Sequence, residues 1–301
     1  MQLDSSELRV LRKAFAAQIC RIAEVDDAEL RQAFAAVARE DFLGPPPWRF
    51  GRSDGVPGVV AVDDPVHVYQ DVLFQLKPLR AVNNGRPSLH ARMLHALGVG
   101  RGDRICHLGA GTGYYTAILA RLAGPEGWVT AVEFDPDLAD QARRGLGSHA
   151  NVGVVEGDAR GHPEHPVDGI YVNFAVGTIP EAWIERLAPG GRLVVPLGIL
   201  RQEPRAGIKG AVRAAVMRIT RMPSGFEARF ICPSFFVGDA ADPDRDVARI
   251  DPAGIEEVRS LDWKAEGRPD SIWYRGRDWA LSRREVEGVP DRPGPAAAPS
   301  P

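Results

Sequence analysis

A glycine-rich turn constrains this chain more than any other feature of its sequence. The segment HLGAGTGYYTA carries Gly109, Gly111 and Gly113, and it stands between the apolar run DRICHL and the helical pattern YYTAILARLA. Glycine permits a tight turn and lets a ligand approach the backbone, while the helix that follows offers free N–H groups. The order of strand, glycine turn and helix therefore predicts an α/β fold with a nucleotide-type ligand at one edge of a sheet.

Strands and helices alternate after this turn. Apolar runs predict strands at 103–108, 127–133, 151–158, 168–174 and 191–198, with helices at DPDLADQARRGL and at PEAWIERL, residues 180–187. Such alternation is typical of βαβ units with helices on both faces of a parallel sheet. Residues 211–237 contain two apolar runs divided by MPSG, which predicts an antiparallel hairpin. We expect a doubly wound, mostly parallel sheet with an antiparallel edge hairpin.

The flanking regions predict four parts in this 301-residue chain. Residues 1–80 contain two helical patterns followed by a substrate-side segment, defined here as residues 49–80 and expected to be irregular. Residues 81–240 form the predicted cofactor-binding domain. Residues 241–288 form a small C-terminal extension whose Trp263, Trp273 and Trp279 either grip a peptide or pack the unit, with packing favoured. Residues 289–301, rich in Pro and Ala, predict a disordered tail.

Composition excludes several classes of function. The formal net charge is −3, so no basic field indicates a nucleic-acid or membrane partner. No apolar window is long enough to predict a membrane span. The three cysteines lie far apart and no Cys/His cluster occurs, so we expect no metal site and no disulfide framework. The N-terminus has no signal-peptide pattern, and we expect a cytoplasmic protein.

Two acidic residues follow the next two predicted strands. Glu133 ends its strand 20 residues after Gly113, where a carboxylate can accept hydrogen bonds from both ribose hydroxyls. Asp158 follows the third strand and is placed to meet an adenine amino group. Together these residues predict an adenosine-containing cofactor at the carboxyl edge of the sheet.

NAD and S-adenosyl-L-methionine are the alternative cofactors. The dinucleotide fingerprint spaces its glycines G-x-G-x-x-G, whereas this chain has G-x-G-x-G. That spacing, the order of the acidic residues and the terminal hairpin favour S-adenosyl-L-methionine.

The chain resembles the protein-L-isoaspartate O-methyltransferase family over residues 27–237, some two thirds of its length. AVAREDFLGP is similar to the family's V-P-R-x-x-F phrase, and HLGAGTGYYTAILARL is similar to its cofactor loop. VEFDPDLADQAR and NVGVVEGDAR resemble its acidic strand end and its adenine-binding segment. LAPGGRLVVPLG and RITRMPSGFEARFI resemble its fifth strand and its terminal hairpin. The resemblance implies a class I methyltransferase fold with S-adenosyl-L-methionine as cofactor.

The sequence departs from the family in the opening loop, AVNNGRPSLHA, residues 81–91. The family carries T-I-S-x-P-x-x-H-A there, and this chain matches it at Pro87 and His90 but has Gly85 in the position of the active-site serine. The resemblance places His90 and the backbone of 82–85 against the cofactor. Ser88 is three residues late for the missing serine, and we expect it to cap the following helix instead.

The candidate site residues fall into two groups. Amide side chains facing the methyl-transfer site could orient an acceptor, or could equally serve as turn and loop caps; these candidates for catalysis are Asn83, Asn84 and Asn173. The residues expected to contact the cofactor are Asn84, Gly85, His90, Gly109, Ala110, Gly111, Gly113, Glu133, Phe134, Asp158 and Ala159.

The opening loop favours a carboxylate as methyl acceptor. A carboxylate is already ionised at pH 7, so it needs no general base, whereas a hydroxyl or an amine usually does. The first hypothesis is therefore an O-methyltransferase that acts on a carboxylate of a protein or peptide, as the isoaspartate family does. The alternatives are a specialised methyltransferase for aspartate in a dedicated peptide or for a small molecule, and a regulator that binds S-adenosyl-L-methionine without turnover.

Overall fold

The structure is a computed structural model that describes residues 4–51, 58–77, 82–200, 211–237, 249–250, 253–264, 271–276 and 278–288. The predicted tail at 289–301 lies outside the described residues. The helices are α1 (Ser5–Ile22), α2 (Ala28–Ala36), α3 (Pro87–Leu97), α4 (Tyr114–Ala123), α5 (Pro136–Gly145) and α6 (Glu181–Glu185). In the described part of the chain, no helix combines the length and the apolar character needed to cross a membrane.

The strands outnumber those that the sequence predicted. They are β1 (Trp48–Gly51), β2 (Val59–Val62), β3 (Gln75–Lys77), β4 (Val82–Asn83), β5 (Arg104–Leu108), β6 (Trp128–Glu133), β7 (Val152–Glu156), β8 (Val167–Val172), β9 (Leu187–Leu197), β10 (Ile199–Leu200), β11 (Ala211–Met222), β12 (Gly225–Val237), β13 (Arg249–Ile250), β14 (Ser260–Trp263), β15 (Ile272–Arg275) and β16 (Trp279–Ser282). The substrate-side segment, expected to be irregular, instead pairs β1 with β2 and β3 with β4.

A ten-stranded sheet in the order β15-β16-β14-β12-β11-β9-β8-β5-β6-β7 forms the centre of the molecule. The pairs β7-β6, β6-β5, β5-β8 and β8-β9 are parallel. The strand order reverses between β5 and β8, and ligands of doubly wound sheets bind outside the carboxyl ends of the strands at such a point. This topology confirms the predicted doubly wound α/β fold of a class I methyltransferase.

The antiparallel half of the sheet begins at β9. Strand β11 pairs with β9 and, through the turn at Pro223 and Ser224, with β12, which confirms the predicted hairpin. The hairpin's predicted place at the edge of the sheet is wrong, because three further strands lie beyond β12. Strand β14 then pairs with β12 at Phe226 and Leu261, and β16 and β15 continue the sheet. Strands β14, β15 and β16 of the C-terminal extension are thus hydrogen bonded into the same sheet as the cofactor-binding strands, whereas β13 pairs with β10 in a separate two-stranded sheet.

Two apolar cores cover the two faces of the sheet. On one face α1, α2, α3 and α4 pack together, and α4 is buried along most of its length. On the other face α6 packs with the C-terminal strands around Trp183 and Trp279, which are 0% and 2% exposed. Both α1 and α2 turn one face towards the core, and the apolar residues that recur at helical spacing in their sequences lie on that face.

Candidate active site

The glycine loop leaves β5 at the reversal of strand order and starts α4. Gly109, Gly111 and Gly113 have φ values of +75°, +56° and +94°, a region that side chains disfavour. A Cβ on Gly109 would lie 2.7 Å from Cδ1 of Phe174, so only glycine fits there. The N–H groups of Gly109 and Ala110 donate to the carbonyl of Val132 at 2.9 and 3.0 Å. These contacts fix the loop against the end of β6.

Glu133 lies beside this loop at the end of β6 and is 9% exposed. Its Oε2 accepts from the N–H of Gly111 at 2.7 Å and its Oε1 accepts from the N–H of Asp135 at 2.9 Å. Burial raises the pKa of Glu133, while the two backbone hydrogen bonds oppose that shift. A carboxylate has about four acceptor sites, so Glu133 keeps acceptor capacity beyond these backbone contacts. The next residue, Phe134, is 58% exposed and offers an apolar surface beside the carboxylate.

Asp158 follows β7 and is bound to its own turn. Its side chain accepts from the N–H of Arg160 at 3.0 Å and forms an ion pair with the Arg160 guanidinium at 2.8 Å. These contacts lower the pKa of Asp158. The carbonyl of Ala159 accepts from Nε1 of Trp183 at 3.0 Å. An adenine amino group would therefore share the Asp158 carboxylate with Arg160, and the predicted contact remains a prediction.

The two asparagines of the opening loop shape the loop itself. Oδ1 of Asn83 accepts from the N–H of Gly85 at 2.9 Å. Asn84 is 6% exposed, and its Oδ1 accepts from the N–H of Phe74 at 2.9 Å and from Arg39 at 3.3 Å. Both amide oxygens thus support the backbone, as turn-forming asparagines do. Their predicted contacts with an acceptor or cofactor remain predictions.

His90 fills the space beside Gly85. A Cβ on Gly85, where φ is +74°, would lie 2.0 Å from Nε2 of His90. The His90 ring stacks on Tyr115 with centroids 3.7 Å apart, and its Nδ1 lies 2.5 Å from the hydroxyl of Tyr171. Burial lowers the pKa of His90 well below its usual value. A neutral imidazole therefore fills the space that a side chain at position 85 would need.

Ser88 does not cap α3, so that prediction is wrong. Arg86 holds the N-cap position without a side-chain hydrogen bond, and the helix begins at Pro87. The hydroxyl of Ser88 donates to Asp71 Oδ2 at 2.6 Å and its N–H donates to Oδ1 at 2.8 Å. Asp71 thus accepts one of the free N–H groups of the first turn. This contact ties α3 to the substrate-side segment.

Asn173 immediately follows β8, opposite the glycine loop. Its N–H donates to the carbonyl of Leu108 at 2.9 Å, and its Cβ lies 3.8 Å from the position of a Cβ on Gly109. The structure therefore brings the predicted residues Gly109, Glu133 and Asn173 to the carboxyl ends of β5, β6 and β8. Their roles remain predictions.

Two long-range side-chain contacts near the carboxyl edge of the sheet were not predicted from the sequence. Nζ of Lys77 lies 2.7 Å from Asp135 Oδ1 and 2.7 Å from Asp137 Oδ2, which joins β3 to the start of α5. Nε1 of Trp279 donates to Oγ1 of Thr178 at 3.1 Å, which joins the C-terminal extension to the loop after Asn173. Each of these contacts joins residues that are far apart in the sequence, so no local sequence pattern indicates the contact.

Comparisons with known proteins identify the family of the chain. The sequence profile of the family described as protein-L-isoaspartate(D-aspartate) O-methyltransferase matches residues 59–218, more than half of the chain. A protein-L-isoaspartate O-methyltransferase of Ignicoccus hospitalis is 35% identical over 155 residues, which cover 50% of this chain and 69% of that protein. One from Aeropyrum pernix is 40% identical over 139 residues, covering 43% of this chain and 53% of that protein.

Solved structures show the same fold. A protein-L-isoaspartate O-methyltransferase superposes with a TM-score of 0.60 at 22% identity, covering 76% of this chain and 66% of that one. A putative protein-L-isoaspartate O-methyltransferase from Plasmodium falciparum, in complex with S-adenosyl-L-homocysteine, superposes with a TM-score of 0.57 at 17% identity. That superposition covers 77% of this chain and 99% of the Plasmodium chain. By the residues that match and the fold they form, this chain belongs to the protein-L-isoaspartate O-methyltransferase family.

Proposed function

We propose that this protein is an S-adenosyl-L-methionine-dependent O-methyltransferase that methylates a carboxylate of a protein or peptide, with isoaspartate as the first candidate. The observation that carries the proposal is the glycine loop bound to Glu133 at the reversal of strand order, in a chain of this family. Cytoplasmic location, predicted from the sequence, is part of the same proposal.

The residues present fit the cofactor. A Cβ on Gly111 would have only Leu76 Cδ1 nearby, at 3.9 Å, so the loop backbone lies open to a ligand. Glu133 keeps acceptor capacity for a ribose hydroxyl, and Phe134 offers an apolar surface for a base. When bound, S-adenosyl-L-methionine supplies a methyl group on a sulfonium. The protein has to hold the acceptor in line with that methyl group and exclude water.

The chemistry of the opening loop supports a carboxylate acceptor. His90 is neutral, buried and bound to Tyr171, so it is not placed to take a proton from a hydroxyl or an amine. An isoaspartyl or aspartyl carboxylate needs no such base at pH 7. Methylation would convert it to a methyl ester and release S-adenosyl-L-homocysteine. The nitrogen of the following backbone amide can then attack the ester carbonyl and give a succinimide with loss of methanol.

A specialised acceptor is the second candidate, because His90 leaves no room for a side chain at position 85, where the family resemblance expects a serine. Aspartate in a dedicated peptide, or a small molecule, would then replace isoaspartate. The same site would also suit a regulator that binds the cofactor without turnover. Only an assay of methyl transfer distinguishes such a regulator from a methyltransferase.

The test is transfer of a labelled methyl group from S-adenosyl-L-methionine to proteins of a cell extract, followed by mild alkali. We expect labelled protein that loses its label as methanol, since carboxyl esters hydrolyse easily. Glu133→Gln should reduce labelling by weakening cofactor binding, which calorimetry with S-adenosyl-L-homocysteine measures separately. Cofactor binding without any labelled product would instead support the regulator.

A further inference from the structure

Arg39 is a fully buried arginine, and no carboxylate in the described part of the chain lies within ion-pair distance of its guanidinium, although Asp71 acts on it electrostatically. Its side chain is 0% exposed, and it forms no ion pair with any residue in the described ranges. It lies between the rings of Phe15, Phe74 and Tyr114, with its Cζ 5.1 Å from the Phe74 centroid. A buried charge costs several kcal/mol in desolvation, and an apolar side chain of similar size often stabilises a protein more. Core packing alone therefore does not account for Arg39.

The guanidinium N–H groups of Arg39 instead donate hydrogen bonds to backbone carbonyls of the substrate-side segment. Nη1 donates to the carbonyls of Val68 and Gln70 at 2.8 and 2.9 Å, and Nη2 donates to the carbonyl of Val72 at 2.8 Å. Most of this stretch lies outside regular strands and helices, so its carbonyls lack the partners that regular structure supplies. The planar fork of arginine suits several fixed acceptors at once.

The same guanidinium reaches the opening loop. Nη2 donates to Oδ1 of Asn84 at 3.3 Å. Asn84 is also bound twice to Phe74, because its Oδ1 accepts from the Phe74 N–H at 2.9 Å and its own N–H donates to the Phe74 carbonyl at 3.0 Å. Asn84 directly precedes Gly85, against which His90 packs. Arg39 thus connects the N-terminal helices to the residue before the altered serine position.

We infer that Arg39 is a positioning residue for methyl transfer, which sets the opening loop through Asn84 and the substrate-side segment through its three carbonyls. This inference rests on the proposed function, because the loop has to be held in register with cofactor and acceptor. A displacement of about 1 Å can cost about 10²-fold in rate.

The test compares Arg39→Met with Arg192→Met. Arg192 is also buried, 5% exposed, and its Nη1 donates to the carbonyls of Leu97 and Gly98 at 3.1 and 3.0 Å, at the end of α3. For Arg39→Met we expect a kcat about 10²-fold lower and faster amide hydrogen exchange in residues 68–76 and 82–86. Arg192→Met, at matched folded concentration, should change neither. Equal kcat and equal exchange in the two variants would overturn the inference.

If Arg39→Met does not fold, a milder variant tests whether Arg39 positions the opening loop. Arg39→Lys keeps the charge but cannot reach all four acceptors. If Arg39 acts partly through Asn84, the double variant Arg39→Lys/Asn84→Ala should lose less kcat than the product of the two single losses, whereas losses that multiply in full would contradict the inference. A wild-type protein without methyl transfer would remove the proposed function, yet hydrogen exchange would still show whether Arg39 holds the loop.

Discussion

Gly85 and His90 exclude any side chain at position 85, because a Cβ there would lie 2.0 Å from Nε2 of His90. The His90 ring is itself fixed by stacking on Tyr115 and by the hydroxyl of Tyr171. The opening loop is therefore packed against His90 at position 85 and leaves no gap there.

A serine at position 85 should damage the protein. Gly85→Ser adds the cost of a left-handed backbone, about 1–2 kcal/mol, to the clash with His90. We expect a clear loss of stability to urea and a loss of methyl transfer. Gly102→Ser is the matched control, since Gly102 has φ +84° and no atom within 4 Å of its Cβ position. An active Gly85→Ser protein as stable as Gly102→Ser would show that His90 does not occupy this space.

Stability should fall in mild acid because of His107. Its Nδ1 lies 2.8 Å from Oγ1 of Thr116, and burial lowers its pKa from 6.5 to about 3. Below pH 6.5 the unfolded chain binds a proton at His107 that the folded chain does not bind. Stability from this group is therefore complete above pH 6.5 and declines as the pH falls towards 3. Urea unfolding at pH 7 and pH 5 measures the decline, which His107→Gln should reduce; an unchanged pH dependence in that variant would contradict this account.

The C-terminal extension should support the loop that follows Asn173. Trp279→Phe keeps an aromatic ring but removes the hydrogen bond to Thr178, a loss of about 1 kcal/mol. We expect lower stability to urea together with a raised KM for the acceptor, because the loop lies at the carboxyl edge of the sheet. Trp128→Phe, at a tryptophan that is 44% exposed, is the control and should change neither quantity. Identical behaviour of the two variants would remove the supporting role.

Lys77 should contribute to cofactor retention by joining β3 to the start of α5. Lys77→Met removes the contacts with Asp135 and Asp137, next to Glu133. We expect weaker binding of S-adenosyl-L-homocysteine in calorimetry and a smaller effect of salt on that binding, since exposed ion pairs are screened. Lys264→Met breaks a comparable contact, with Glu181 at 2.9 Å, away from the glycine loop. Equal affinities in the wild-type protein and both variants would refute the prediction.

The sequence predicted the parallel strands, the glycine loop and the terminal hairpin because each has a local pattern. Glycines at 109, 111 and 113 all have positive φ, and Glu133 ends β6 beside them. These features depend on spacing within one or two elements, so periodicity and turn chemistry suffice to find them.

The partners of the side chains could not be predicted in the same way. Ser88 donates to Asp71, which is 17 residues away, and Arg39 reaches Asn84 across 45 residues. Such pairs are decided by which segments the tertiary fold brings together. The only local signal for Arg39 was its place in the phrase AVAREDF, which indicates a family feature but not what the guanidinium binds.

The most direct test of the account is a methylation assay with one peptide prepared in isoaspartyl and aspartyl forms. With labelled S-adenosyl-L-methionine, we predict an alkali-labile methyl ester on the isoaspartyl peptide and none on the aspartyl peptide. Ester on the aspartyl form alone would support the specialised acceptor. No methyl transfer to either peptide, by a protein that binds S-adenosyl-L-homocysteine, would contradict the proposed carboxylate methylation of these peptides.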